Sequence, residues 1–343
     1  MLPEFHILCF TDTGEQLGLR LVGLLCKEDP GTKAKVYRVT ELYKTTVSLF
    51  ATGSVLVFIG SAGIAVRAIA PYVKNKSLDP AVIVLDEAGE FVIPIISGHL
   101  GGANRYARSI GRLLDATPVI TTATDVQGVF SFDAFASEFG YVVLNPPMVK
   151  HVASAMLKGE TVGLCSDFAI DGKLPDLVSV SDTGKTGVVI SLDQQKAPFA
   201  QSLKLYPKCY HLGIGSRKGI GHEAVEQAFD EVIDKLGIPR QAVSCIASID
   251  LKQNEAAIKA LAQKLHLPFK TYQAAQLDAV AGRFEQSEFV YATTGTRNVC
   301  EAAAYLSSDY GEIIQTKTAR AGVTLAVARQ NWRVSFENHD DRA

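Results

Sequence analysis

The chain has 343 residues, 47% of them hydrophobic and 20% charged, with a formal net charge of −2. That length suits two or three domains, each able to bury a core, and the composition excludes a disordered chain. The near-neutral balance argues against a general nucleic-acid or anionic-membrane binder, so an anionic ligand must be held by locally placed Arg, Lys and backbone N–H groups.

In chain order, residues 5–10 read as a strand and 14–25 as a helix, with Leu17, Leu21, Leu24 and Leu25 at helical spacing. Strands follow at 35–39, 54–59 and 81–85, with a further strand at 91–95 pairing beside the last. Helices fall at 40–50, 62–72 and 104–114, and a strand at 118–122. This β–α alternation predicts a doubly wound, mostly parallel sheet over residues 1–130. Between 131 and 207 the pattern weakens: a break at Pro146-Pro147, a short helix at 153–158, and short strands at 161–165 and 187–191. This is a small α/β middle segment or a linker, and the polar stretch 193–207 reads as its boundary. A separate C-terminal α/β domain is expected over 208–332: strands at 210–214, 243–249, 311–317 and 323–329, and helices at 223–236, 254–265 and 299–306. Residues 333–343 read as a tail.

The six cysteines, Cys9, Cys26, Cys165, Cys209, Cys245 and Cys300, are scattered without a C-x-x-C pair. They predict neither a zinc site nor a disulfide framework, but free thiols in a reducing cytoplasm. The first residues lack a basic region and a long apolar run, and no run is long enough to span a membrane.

Four junctions between residues 60 and 125 place small or polar residues at the edge of an apolar run: G-S-A-G-I-A-V-R, D-E-A-G, S-G-H-L-G-G-A-N-R and T-T-A-T-D. Such loops bring backbone N–H groups to a ligand, and together they are expected to form one site. They offer Gly63, Arg67, Gly98, Gly101, Gly102, Asn104, Arg105, Thr121 and Thr122 as ligand contacts. His99 has a side chain suited to proton transfer near neutrality; it could equally be a hydrogen-bonded structural residue. Asp125 ends a strand where open α/β sheets place ligand groups. Asp86 sits in a polar turn that needs no catalytic role.

Two loops in the last third repeat the idea. G-I-G-S-R-K-G offers Gly213, Gly215, Arg217 and Lys218, yet it lacks the Walker ending and suits a plain tight turn as well as an anion site. T-T-G-T-R-N offers Thr294, Gly295, Arg297 and Asn298, followed by Glu301 in the first helical turn, where a carboxylate also complements the helix dipole. Lys317 adds another cation. No Ser-His-Asp triad or H-E-x-x-H motif is present.

The run from I-G-S-A-G-I-A-V-R through I-I-S-G-H-L-G-G-A-N to V-I-T-T-A-T-D resembles the N-terminal signature of the CbiG family, cobalt-precorrin-5A hydrolases of anaerobic cobalamin biosynthesis. L-G-I-G-S-R-K-G, I-A-S-I-D-L-K-Q-N-E, T-G-T-R-N-V-C-E-A-A-A and K-T-A-R-A-G-V-T-L-A-V-A resemble its C-terminal domain. The resemblance implies opening of the ring-A δ-lactone and expulsion of C20 with its methyl group as acetaldehyde, giving cobalt-precorrin-5B. It implies no cofactor and no protein metal site, because the cobalt arrives inside the substrate. A carboxylate-rimmed macrocycle suits a broad cleft with scattered cations, Arg67, Lys74, Arg105, Arg217, Lys218, Arg297 and Lys317 among them. His99 and Asp86 lead as acid–base residues, with Asp125 and Glu301 behind. The same reading allows transient hand-over with pathway methyltransferases and a homodimer. The alternatives are a non-catalytic corrinoid carrier, since the C-terminal domain also occurs alone in the aerobic pathway, and a nucleotide-dependent enzyme, which the missing Walker context disfavours.

Overall fold

A computed structural model describes residues 4–75 and 78–337; the polar end at 338–343 lies outside the described residues. The N-terminal domain runs β1 (Glu4–Cys9), α1 (Asp12–Glu28), β2 (Lys33–Arg38), α2 (Leu42–Leu49), β3 (Ser54–Ile59), α3 (Ala62–Ile69), β4 (Ala81–Leu85), β5 (Phe91–Ile96), α4 (Ala103–Leu114), β6 (Thr117–Pro118) and α5 (Ala123–Val126). Its six strands form one sheet in the order β2-β1-β3-β4-β5-β6. The continuous apolar runs of β1, β3 and β4 are buried on both faces, as helix-covered parallel strands require. Leu21 and Leu25 of α1 and Ala107, Ile110 and Leu114 of α4 cover one face; Ala65, Ala68 and Ile69 of α3 cover the other.

Two strands, β5 and β6, run against the other four. Strand β5 is antiparallel to β4, with Val82 opposite Ile96 and Leu85 opposite Val92. The D-E-A-G turn causes the reversal: the Asp86 carboxylate accepts from the backbone N–H groups of Ala88, Glu90 and Phe91, and Gly89 takes a φ of 72°. Strand β6 then runs parallel to β5. The loops after β5 and β6 therefore emerge at the edge of the sheet opposite to those after β1, β3 and β4.

The middle segment is a domain with its own core, not a linker. It contains α6 (Phe132–Glu138), β7 (Tyr141–Val143), α7 (Val149–Leu157), β8 (Val162–Ser166), β9 (Ile170–Asp171), β10 (Val178–Val180), β11 (Gly184–Ile190) and β12 (Phe199–Pro207). Five strands form a sheet in the order β10-β8-β11-β12-β7. The expected boundary at 193–207 is thus corrected, because most of it is β12, whose Phe199, Leu203, Leu205 and Tyr206 are buried. Its interspersed polar residues disguise a strand whose neighbours cover it.

The C-terminal domain runs β13 (Tyr210–Ser216), α8 (His222–Leu236), β14 (Val243–Ile249), α9 (Ala256–Lys264), β15 (Phe269–Tyr272), α10 (Ala274–Ala281), α11 (Glu288–Thr294), α12 (Cys300–Ser307), β16 (Glu312–Arg320) and β17 (Val323–Arg329). Its sheet has the order β15-β14-β13-β17-β16. The chain then returns to the central domain. β18 (Val334–Ser335) pairs with β9, Val334 and Phe336 enter the central core, and Trp332 Nε1 donates to the Tyr141 hydroxyl at 3.0 Å. The expected tail at 333–343 therefore begins as packed structure. Among the described residues no helix is long and apolar enough to cross a membrane.

Candidate functional site

The S-G-H-L-G-G loop leaves β5 through Ser97, which is buried with a φ of 58° and donates its hydroxyl to the Asp79 carbonyl at 3.0 Å. The turn is too tight for side chains: a Cβ on Gly98 would lie 2.8 Å from Asn104 Oδ1, and one on Gly101 would overlap Ser97. Gly102, with a φ of 81°, starts α4. Asn104 and Arg108 stand one helical turn apart on α4 and so share a face.

From the other side comes the segment after β6. Residues 118–122 were expected as a strand ended by Asp125. Thr117 and Pro118 pair with β5, and the Val119 N–H still reaches the Val92 carbonyl at 2.8 Å; Asp125 lies instead in the short helix α5, which Thr122 precedes.

These segments close on His99. Its Nε2 meets Asp125 Oδ2 at 2.9 Å and lies 3.3 Å from Thr124 Oγ1. Its Nδ1 meets the Asp133 carboxylate at 3.2 Å and lies 3.2 Å from Ser131 Oγ. Asn104 Nδ2 donates to Asp125 Oδ2 at 2.9 Å and to Thr122 Oγ1 at 3.0 Å. Arg108 donates to Asp125 Oδ1 at 2.6 Å. The side chains of His99, Asp125 and Asp133 are 15%, 13% and 7% exposed.

The charges follow from this geometry. Burial opposes a charged ring, but the hydrogen bonds and charges of Asp125 and Asp133 overcome it and hold the His99 pKa up at about 9. Burial likewise opposes ionisation of Asp125, but His99 and Arg108 bring it down to about 2. At neutral pH the ring is an imidazolium and Asp125 a carboxylate. Such a ring can give a proton but cannot accept one until it has done so. The two carboxylates bind opposite ring nitrogens, so this trio does not converge on one ion. Among the described residues no group of three or more His, Cys, Asp or Glu could hold a metal.

The other expected residues lie elsewhere. Gly63 and Arg67 follow β3 at the opposite sheet edge, where Arg67 Nη1 reaches its own Gly63 carbonyl at 3.4 Å. Asp86 lies at that edge too, satisfying its turn. The expected single site of four junctions is thus corrected: the reversal of β5 divides them two and two. Arg105 is exposed and bonds the Tyr106 hydroxyl at 2.9 Å, and Thr121 is exposed.

Of the two C-terminal motifs, the first packs against the helix that follows the second. A Cβ on Gly213 would overlap the Cys300 carbonyl, and one on Gly215 would press on Thr324, so these glycines let α12 and β17 approach β13. Arg217 and Lys218 are exposed, and the Gly219 N–H already binds Glu255 Oε1 at 3.1 Å. Thr294 Oγ1 bonds the Val290 carbonyl at 2.8 Å, and Gly295 ends α11 with a φ of 74°. Arg297 lies 4.3 Å from the Tyr291 ring and pairs with Asp278 and Glu288. Lys317 stands 3.8 Å from Glu285. Glu301 is buried, and its Oε2 accepts from Asn298 Nδ2 at 2.6 Å while Asn298 Oδ1 accepts from the Glu301 N–H. Asn298 Oδ1 also accepts from the Ala302 N–H, so this pair ties down the first turn of α12.

Thr124, Arg108, Ser131 and Asp133 were missed in the sequence. The spacing from Asn104 to Arg108 was readable as one helix face. Nothing linear points from residue 133 to residue 99.

Three segments match family descriptions: residues 44–125 the cobalamin synthesis G N-terminal, 130–207 the cobalamin biosynthesis central region, and 210–328 the cobalamin synthesis G C-terminus. The chain is 31% identical, over 95% of its length and 97% of the relative's, to a cobalt-precorrin-5A hydrolase of Salmonella typhimurium. It is 30% identical to the enzyme of that name from Priestia megaterium, over 82% of this chain and 80% of that one. The C-terminal part is 33% identical to a Sinorhizobium protein named CobE, over 34% of this chain and 77% of that one.

Proposed function

The chain belongs to the cobalamin synthesis G family, and from that premise we propose that it is a cobalt-precorrin-5A hydrolase. The observation that carries this reading is end-to-end similarity to a relative of that name, at 31% identity over 95% of the chain. The finer reading is a hydrolase that also breaks a carbon–carbon bond, without a cofactor of its own, and that acts in the cytoplasm. Water adds to the ring-A δ-lactone, giving a carboxylate and a C20 hydroxyl. The C1–C20 bond then breaks: C20 becomes the carbonyl carbon of acetaldehyde, the hydroxyl proton leaves, and the electron pair passes into the macrocycle, whose cobalt belongs to the substrate.

His99 fits both halves. As an imidazolium it turns its Nε2–H from Asp125 to the lactone oxygen and protonates that oxygen as it leaves. Now neutral, the ring takes the C20 hydroxyl proton back as acetaldehyde forms, which restores its charge. Asp125 stabilises the charged ring, and Asn104 and Arg108 fix Asp125. Asp86 and Glu301 are better read as structural residues of a turn and a helix start, since their carboxylates serve N–H groups of their own segments. The exposed cations Arg105, Arg217 and Lys218 are read as partners for carboxylates on the macrocycle rim.

Incubation with cobalt-precorrin-5A and trapping of acetaldehyde tests the reading. Release of acetaldehyde with formation of cobalt-precorrin-5B supports the hydrolase. Binding without release would sink it and favour a carrier.

A further inference from the structure

We propose that Asp133 is a positioning residue for His99, so that the central domain supplies part of the hydrolase site. The proposal rests on the hydrolase reading above. Helix α6 presents two different faces. Phe132, Phe135 and Ala136 are buried in the central core. Asp133 and Ser137, one helical turn apart, turn toward the glycine loop of the N-terminal domain. Ser137 Oγ donates to the Leu100 carbonyl at 2.9 Å. Asp133 sets both carboxylate oxygens against His99 Nδ1, at 3.2 and 3.3 Å. Ser131 Oγ donates to Asp133 Oδ1 at 2.5 Å and, as the cap of α6, also accepts from the Ala134 N–H. The carboxylate is thus aimed by the start of its own helix.

An imidazole bonded at one nitrogen keeps freedom to rotate about that bond. A second anchor on the other nitrogen fixes the ring plane and says which nitrogen keeps its proton. Asp125 holds Nε2 from the N-terminal side, and Asp133 holds Nδ1 from the central side. A residue that merely fastened two domains would need no carboxylate directed at a ring nitrogen. The arrangement also explains why the central domain is present: without it, His99 loses one anchor and the cycle of giving and retaking a proton loses its geometry.

The test uses the full-length protein with Asp133→Asn, Asp133→Glu and Ser131→Ala. The His99 ring is titrated by NMR, assigned by its loss in His99→Gln, and turnover of cobalt-precorrin-5A is followed by acetaldehyde release. In Asp133→Asn the His99 midpoint should fall by about one pH unit or more. Turnover should fall roughly 10–100-fold, with KM little changed. The alkaline limb of kcat should move with the midpoint, and Asp133→Glu should recover part of both. If Asp133→Asn fails to fold, Ser131→Ala should show the same changes in smaller measure. A midpoint that stays in place in the variants, with or without lost turnover, overturns the proposal. Should the wild type release no acetaldehyde, the hydrolase reading fails, while the titration still shows whether Asp133 holds the ring.

Discussion

His99 Nε2 lies 2.9 Å from Asp125 Oδ2, and the same carboxylate accepts from Arg108 at 2.6 Å through its other oxygen. Asp125 is therefore shared by two cations, His99 and Arg108. Replacing His99 with Gln keeps polarity and approximate size but removes the proton. Acetaldehyde release should drop about 10²–10⁴-fold, while binding of cobalt-precorrin-5A, followed by its visible absorption, stays within a few-fold. Turnover near the wild-type rate would remove His99 from the mechanism.

The same pair sets an alkaline limit to stability. The folded pKa of His99 is raised from 6.5 to about 9. Its contribution, about 3 kcal/mol, is full below the unfolded value and is lost as pH rises through the folded one. Asp125 has the opposite sign: its folded pKa drops from 3.8 to about 2. Its contribution is present above the unfolded value and is lost as pH falls through the folded one. Urea unfolding at about pH 6 and about pH 10 should show the alkaline loss, and His99→Gln should flatten it.

A second histidine governs the acid side. His211 on β13 is buried, and its burial lowers its pKa from 6.5 to about 4. Its Nε2 faces Ser244 Oγ at 3.0 Å, and its Nδ1 is buried without a hydrogen-bond partner. The unfolded chain takes up this proton first, so stability falls as pH drops from about 6.5 and levels off below about 4, a loss approaching 3 kcal/mol. The C-terminal domain should therefore unfold more readily in mild acid, and replacing His211 with Gln should remove most of that dependence. An unchanged slope in the variant would assign the acid loss to other groups.

Two glycines of the G-I-G-S-R-K-G motif should differ sharply. A Cβ on Gly213 would overlap the Cys300 carbonyl, so Gly213→Ala must push α12 off β13. The expected cost is about 3 kcal/mol or more, seen as a lower melting temperature. Gly219 has open space around its Cβ position but a φ of 70°. Its replacement by Ala should cost only about 1–2 kcal/mol, the left-handed backbone penalty. Equal losses at the two positions would contradict this packing.

Much of the architecture was legible from linear pattern. Strands β3, β4 and β14 begin and end where expected, because a buried parallel strand reads as a near-continuous apolar run. β12 was hidden because its buried residues alternate with Gln201 and Lys204, which reads as a polar stretch until its neighbours are known. The short helices α5 and α6 were missed because a few residues carry too little periodicity to separate a helix from a loop. His99, Asn104 and Asp125 were readable as candidates, since small and polar residues at the end of an apolar run are a local signal.

The sequence by itself determined the three-part α/β plan, the family, and the need for glycine around His99, all of which reside in local pattern or in long ordered similarity. Only the tertiary structure decided which candidates share a site. Reversal of one strand, β5, sends His99 and Asp125 to one edge of the sheet and Arg67 and Asp86 to the other. It also brings Asp133 from another domain against the far nitrogen of His99. Strand direction and domain docking depend on contacts between residues far apart in the chain, and it is those contacts that set the charge on His99.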